Sequence, residues 1–600
     1  MIRSMLEKAV QANVLRAIDL HAGLFVEEMT GGSAPELLLA ATLASRSVGD
    51  GHICLPLDVV AGQPVFPPEF PCSAPPLERW RAGLTAGGAV GGPGGAEPLI
   101  LDGNRLYLAR YHRCETLIAE DLLRRSAIRR VVDPEQTARL LDRLFPGSGP
   151  LDRQKIAAAV AAVKQLVVIS GGPGTGKTYT VARLLALLQA LAGGGLRIGL
   201  AAPTGRAAVR LHESIVKARE TMDGELAAPV PDQAVTLHRL LGLMPHNGRF
   251  RHNRDNPLHL DLLVIDEASM IDVPLMAAVV EALPDSARLV LLGDRDQLTS
   301  VEAGSLFGDV CGSGEPRWSA DLCRQISQLT GFAVIPGESG ATFADSVVLL
   351  HTGYRFAPQS AIGELAAVIN SGRRDRLTEV LGKEQGEVVY AQPDPEAFPG
   401  WLSTQLLTGF ENCLAARDPE EALAALGRFR VLCAVREGRA GVAGINGLAE
   451  SILRRQGLIR GSERLYRGRP VMIRKNQYDL QLFNGDTGIL WPDSEGKLWA
   501  WFHRADGELW PIAPARLPEH DTAFATTVHK AQGSEFDDVL FILPFEDNRV
   551  LTRELVYTGI TRARRKLILA GGFPLLAAAI ERRVIRYSGL LDRLWREAAK

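Results

Sequence analysis

Along this 600-residue chain the spacing of apolar and polar positions changes character several times, and those changes predict its organisation. Met5–Leu20 and Ala34–Ala44 read as apolar helical stretches. Leu99-Ile100-Leu101 and Leu106-Tyr107-Leu108 read as two short strands around the turn Asp102-Gly103, followed by a helical segment to about Arg130. Between these, Gly83 to Gly95 holds seven glycines in thirteen positions and predicts a flexible loop. Turn formers cluster again at Pro146-Gly147-Ser148-Gly149-Pro150, before a helix predicted over Gln154–Val163. From Leu166 onward, short β-branched runs alternate with helical stretches: Leu166–Ser170, Arg197–Ala202, Leu262–Asp266 and Arg288–Gly293. That alternation predicts βαβ units and a parallel sheet, and similar strands at Phe429–Val435 and Val539–Leu543 predict a second α/β domain. Residues 463–516 instead carry short strands broken by Asn484-Gly485-Asp486, Ser494-Glu495-Gly496 and Ala505-Asp506-Gly507, as a small inserted β-barrel would.

Composition narrows the class. Six hundred residues at roughly 100–200 per domain make three to five domains. With 46% hydrophobic and 23% charged residues the chain has the balance of a globular protein, which excludes a largely disordered, collagen-like or coiled-coil molecule. The formal net charge is −2, so a nucleic-acid site would be a local basic lining and not a whole-molecule field. Seven scattered cysteines, never arranged as CxxC, give neither a disulfide framework nor a Cys-rich zinc site and fit a reducing, cytoplasmic compartment. No run approaches the 18 or more apolar residues of a membrane span, and the amino terminus lacks a signal-peptide core, so the chain is expected to be soluble and unprocessed.

The chemistry is most legible after the first of the alternating strands. Gly171-Gly172-Pro173-Gly174-Thr175-Gly176-Lys177-Thr178 lies between the strand Leu166–Ser170 and the helical stretch Tyr179–Leu191, the context a phosphate-binding GxxxxGK[ST] loop requires. Glycines let consecutive N–H groups approach phosphate oxygens, Lys177 neutralises β/γ charge, and the Thr178 hydroxyl suits Mg²⁺. Asp266-Glu267-Ala268-Ser269 supplies the second half of such a site: Asp266 to hold magnesium and Glu267 to take a proton from the attacking water. In Gly293-Asp294-Arg295-Asp296-Gln297-Leu298, the amide of Gln297 suits the γ-phosphate or that water. Arg355 and Arg562 are candidate phosphate-sensing cations, although each, taken alone, reads more readily as a surface or structural arginine, a weighting that only the family resemblance below reverses.

Together with Ala202-Pro203-Thr204-Gly205-Arg206-Ala207-Ala208, Thr236-Leu237-His238-Arg239, Asn484-Gly485-Asp486-Thr487-Gly488, Thr527-Val528-His529-Lys530-Ala531-Gln532-Gly533-Ser534-Glu535-Phe536 and Leu551–Tyr557, these motifs stand in the order found in superfamily 1 helicases. Within that superfamily the sequence resembles the RecD subunits of bacterial RecBCD (exodeoxyribonuclease V) over nearly its whole length. The resemblance implies an α/β protein with two RecA-like P-loop motor domains, at 121–345 and 346–600, and a small SH3-like β-barrel insertion at 463–516. It also implies an N-terminal mixed α/β domain over 1–120 that docks partner subunits. Gln154 then looks like the adenine-reading glutamine, with Arg355 and Arg562 reaching the phosphates from the second domain. Pro203, Thr204, Arg206, Thr236, His238, Thr527 and His529 would line the DNA path, where hydroxyl, imidazole and guanidinium groups suit backbone phosphates. His238 and His529 also read as satisfied interior histidines. The implied activity is ATP- and Mg²⁺-dependent 5′→3′ unwinding of DNA ends, alongside RecB-like and RecC-like subunits, in double-strand-break repair and recombination. A free-standing RecD-like helicase is the alternative, and a motor-dead, nucleotide-gated scaffold a third reading. No extra carboxylate–lysine cluster lies outside the motor motifs, which leaves nuclease activity to a partner.

Overall fold

The computed structural model describes residues 2–595 apart from 33, 87, 148–150, 245, 338–341, 352–359, 384–385, 460–463 and 505–506. Two all-parallel sheets dominate it. The first runs in the order Val347–Leu350, Leu166–Gly171, Arg288–Gly293, Leu262–Ile265, Ile198–Ala202 and Ala234–Thr236. Its strands are buried on both faces, which is why they read as continuous apolar runs instead of alternating ones. Val168, Leu263, Leu289 and Leu291 point into one core, and Val167, Ile169, Val264 and Val290 into the other. The second sheet runs Val388–Ala391, Ala563–Ala570, Phe536–Ile542, Phe429–Cys433 and Ala525–Thr527, again all parallel.

Between Phe429–Cys433 and Ala525–Thr527 in sequence, an antiparallel sheet is inserted in the order Leu509–Ile512, Leu498–His503, Thr487–Pro492, Pro470–Ile473, His520–Thr522. One face packs Val471, Ile473, Leu490, Ala500 and Phe502 on each other. Its fifth strand, His520–Thr522, lies beyond residue 516, the expected end of the insertion, because pairing with Pro470–Ile473 creates it.

The N-terminal region departs from the pattern-based reading in two places. Met5–Leu20 is not one helix: Ile2–Gln11 and Ala17–Met29 are separate, broken at Asn13, whose φ of 56° is left-handed. The glycine-rich stretch is not simply a loop. Gly83 belongs to the helix Leu77–Thr85, and Val90–Gly91 forms a strand parallel to Leu99–Ile100, with Ala89 and Val90 buried. The hairpin Leu99–Asp102 and Arg105–Leu108 forms as expected.

Helix Ala109–Ala127 runs through residue 120 and packs into the first α/β domain. Its Arg125 is fully buried, with its guanidinium donating to Asp121 (2.7 Å) and to the carbonyls of Leu283, Pro284 and Ala287. That network satisfies a buried charge that would otherwise be costly. The C-terminal segment also returns to this side of the molecule. Leu590 and Leu594 join the first domain's core, and Trp595 Nε1 donates to the Asp309 carbonyl at 3.0 Å. Buried Glu115 accepts from Tyr107 Oη (3.1 Å) and the Gly589 amide (3.0 Å) and pairs with Arg593 (3.3 Å). Burial raises the Glu115 carboxyl pKa, which these donors and the Arg593 charge oppose.

Candidate active site in the cleft between the two parallel sheets

Three strands of the first sheet deliver the chemistry from their carboxyl ends, the edge where open α/β sheets place ligands. Leu166–Gly171 leads into the glycine loop, in which Gly174 (φ 82°) and Gly176 (φ 77°) adopt left-handed conformations that a side chain would resist. Helix Lys177–Leu191 then starts directly, so its unpaired N–H groups face the loop. Lys177 Nζ donates to the Gly171 and Gly172 carbonyls at 2.6 and 3.2 Å. From Leu262–Ile265 come Asp266 and Glu267, with the Glu267 amide donating to Asp266 Oδ1 at 2.9 Å. Glu267 is held at φ 52°, a backbone state that costs a non-glycine residue about 1 kcal/mol or more and is found at functional sites. Burial and the Glu267 charge raise the Asp266 pKa, against the pull of Lys177. From Arg288–Gly293 come Asp294 and Gln297, both buried; burial pushes Asp294 up to about 6.

Lys177, Thr178, Asp266, Glu267 and Gln297 line a cleft of ≈ 360 Å³, with Asp294 behind Gln297, and its far wall belongs to the second domain: Gly533, Glu535 and Arg562. Arg562 is 1% exposed and donates to the Thr558 and Ser534 carbonyls at 3.1 and 3.2 Å. Burial lowers its pKa while Glu267 and Glu535 raise it, and a guanidinium there stays charged. Sequence reasoning overlooked the clamp that closes this wall. Arg210, on the first domain's helix Gly205–Glu220, donates to the Gly533 carbonyl at 2.7 Å and pairs with Glu535 at 2.7 Å. Glu535 also pairs with Arg564 at 3.0 Å. The one available signal was spacing, since Arg210 follows Arg206 by four residues on one helix face.

Gln154 sits beside the phosphate loop and not among the cleft-lining residues, its Nε2 donating to the Thr175 carbonyl at 3.0 Å. Arg355 lies outside the described residues. Among the residues expected on a DNA path, Thr204, Thr236 and Thr527 each accept from a backbone amide three residues on, those of Ala207, Arg239 and Lys530, and Thr204 and Thr236 thereby cap the helices that follow them. Pro203 and Thr204 follow the strand end at Ala202, Thr236 closes its strand, and Thr527 closes Ala525–Thr527. Arg206 crosses to the second domain, donating to Ser534 Oγ (3.0 Å) and Thr487 Oγ1. His238 is exposed, its ring tilted against Phe250 at 6.0 Å, and His529 is half-buried with its pKa lowered by that burial. Among the described residues no group of three or more His, Cys, Asp or Glu could hold a metal by itself.

Three family descriptions match the chain in succession: the RecD N-terminal domain of the RecBCD enzyme at residues 11–107, an AAA domain at 154–303, and the UvrD-like helicase C-terminal domain at 522–570. With the two parallel sheets and the cleft between them, they define an ATP-dependent DNA helicase motor. The RecBCD enzyme subunit RecD of Mycolicibacterium smegmatis is 37% identical over 593 residues, covering 97% of this chain and 98% of that protein. The Mycobacterium tuberculosis (strain CDC 1551) protein of the same name is 38% identical over 597 residues, covering 97% and 96%. This chain belongs to the RecD family. The ATP-dependent RecD2 DNA helicase of Deinococcus radiodurans is 31% identical over 433 residues, covering 72% of this chain but 50% of that protein.

Proposed function

We propose that this chain is the 5′→3′ DNA motor of a RecBCD-type helicase–nuclease complex, working with RecB-like and RecC-like subunits on duplex ends in double-strand-break repair and homologous recombination. The observation that supports the mechanism is a single cleft lined by Lys177, Thr178, Asp266, Glu267 and Gln297 from the first domain and by Arg562 from the second. On this reading the glycine loop and Lys177 hold the ATP phosphates, Glu267 accepts the proton of the attacking water, Gln297 orients that water, and Arg562 meets charge developing on the γ-phosphate. Thr178 and Asp266 would hold Mg²⁺, which would neutralise the β- and γ-oxygens. Two protein oxygens suit a cation that keeps most of its ligands from water and phosphate, and a carboxylate raised by burial and a neighbouring acid is one that a cation would relieve.

The DNA reading is supported by the placement of Pro203, Thr204, Thr236 and Thr527 at the carboxyl ends of strands from both sheets, with Arg206 between them. Hydroxyls already accepting backbone amides suit contacts to backbone phosphates that read no bases, so the path is expected to be sequence-neutral. The inserted antiparallel sheet is read as the SH3-like element. Free cysteines throughout accord with a reducing cytoplasm, and among the described residues no helix is long and apolar enough to cross a membrane. The near-complete mutual coverage with RecD subunits, against half of the RecD2 helicase, favours the complex over a free-standing enzyme. The full hydrolytic set argues against a motor-dead scaffold.

Partner docking is assigned to the N-terminal domain because helix Ala17–Met29 leaves Ile18, Phe25 and Met29 exposed on one face, at 64%, 60% and 57%. Ile18→Asp combined with Phe25→Asp is expected to abolish co-purification with the RecB-like and RecC-like subunits while nucleotide binding persists. Stoichiometric assembly of that variant would move the docking surface elsewhere.

A further inference from the structure

The segment that carries Gln297 is held by the second domain at both of its ends. At one end the Tyr557 hydroxyl donates to Asp294 Oδ2 at 3.0 Å. At the other, the Leu298 amide donates to Thr558 Oγ1 at 2.9 Å, and Gln532 Nε2 donates to the Leu298 carbonyl at 2.8 Å. Tyr557 and Thr558 are neighbours on helix Arg553–Ile560, separated from Thr561-Arg562 by Gly559 and Ile560. The oxygen that receives Tyr557 also receives Gln297 Nε2, at 3.0 Å, while Asp294 Oδ1 takes the Asp296 amide at 3.0 Å. Tyr557, Asp294 and Gln297 are 4%, 2% and 4% exposed, so water does not compete for these bonds. The hydroxyl also lies against the phosphate loop: a Cβ at Gly172 would sit 2.8 Å from it.

We propose that Tyr557 and Asp294 are positioning residues for hydrolysis: Tyr557, carried on the second domain, fixes the Asp294 carboxylate, and Asp294 fixes the Gln297 amide. An amide whose N–H is committed to Asp294 has its carbonyl oxygen left to accept a proton of water in the cleft. Without Tyr557 the carboxylate keeps the Asp296 amide on Oδ1 and Gln297 on Oδ2 but loses the one contact from the second domain that holds Oδ2, so Gln297 is held most firmly when the second domain is seated on the first. Domain seating and water alignment become one event, a use of binding geometry that affects turnover more than nucleotide affinity. The proposal rests on the reading of Gln297 as the water-orienting group of this cleft.

A double-mutant cycle on the full chain with saturating single-stranded DNA separates the two. Tyr557→Phe, which removes one oxygen and keeps the ring, is expected to lower kcat for ATP about tenfold, or roughly 1.4 kcal/mol of barrier, with KM within about twofold of wild type. Gln297→Ala is expected to lower kcat at least as much. In the Gln297→Ala background, Tyr557→Phe is expected to cost less than twofold more, because the residue it acts through is gone; a merely structural tyrosine would slow both backgrounds equally. Asp294→Asn, which retains one acceptor oxygen, should fall between wild type and Gln297→Ala. Additive losses, or a Tyr557→Phe enzyme with unchanged kcat, overturn the relay while leaving Gln297 in place. A Gln297→Ala enzyme turning over at the wild-type rate overturns the reading of the cleft itself, and the relay with it.

Discussion

Glu267→Gln is expected to bind ATP with close to wild-type affinity and to hydrolyse it about 10²–10⁴ times more slowly, the span that a positioned general base contributes. The side chain follows the strand Leu262–Ile265 and lines the cleft in a left-handed backbone conformation, a placement that the fold maintains against its intrinsic preference. Glutamine preserves the shape and loses the proton acceptor. Lys177→Gln, by contrast, removes the charge facing the phosphates and should weaken both binding and turnover. Stopped-flow nucleotide binding with phosphate release under single-stranded DNA measures both quantities. Undiminished turnover in Glu267→Gln would assign the base elsewhere.

Arg562→Ala is expected to slow hydrolysis far more than it weakens nucleotide binding. The guanidinium reaches the cleft from the second domain and is fixed by two carbonyls, so its orientation is set before any nucleotide arrives. A finger arginine contributes about 10³–10⁵ in GTPases, which bounds the effect here. Arg562→Lys keeps the charge without the planar fork and should recover only part of the rate. If Arg562→Ala turns over within about tenfold of wild type, equivalent to roughly 1.4 kcal/mol, the second domain does not supply the cation.

Local pattern carried much of this architecture, and its failures have physical causes. The phosphate loop, the strands that flank it and helix Arg153–Val163 were legible because backbone requirements and burial act within a few residues. Gln11-Ala12-Asn13 looked helical because apolar spacing continued across it, whereas one left-handed residue is enough to end a helix. Val90–Gly91 was hidden in its glycines, since only pairing with Leu99–Ile100, a tertiary contact, makes it a strand. The Arg210–Glu535 clamp and the Tyr557–Asp294 bond join residues hundreds of positions apart, and no periodicity reports such a meeting. Thr204, Thr236 and Thr527 were legible only as DNA-path residues by family pattern, and the structure adds that each hydroxyl accepts a backbone amide, which does not prevent it from meeting a phosphate. A boundary at residue 120 cuts through helix Ala109–Ala127, a segment the pattern did predict, because local pattern does not show that its buried Glu115 and Arg125 tie the N-terminal region to the first domain and the returning C-terminal segment.

Strand displacement on duplexes of mixed sequence, bearing either a 5′ or a 3′ single-stranded tail, tests the central claim most directly. The account predicts ATP-dependent unwinding of the 5′-tailed duplex by the full chain, little unwinding of the 3′-tailed one, and none of either by Lys177→Gln. Unwinding that starts from the 3′ tail, or that survives Lys177→Gln, would contradict it.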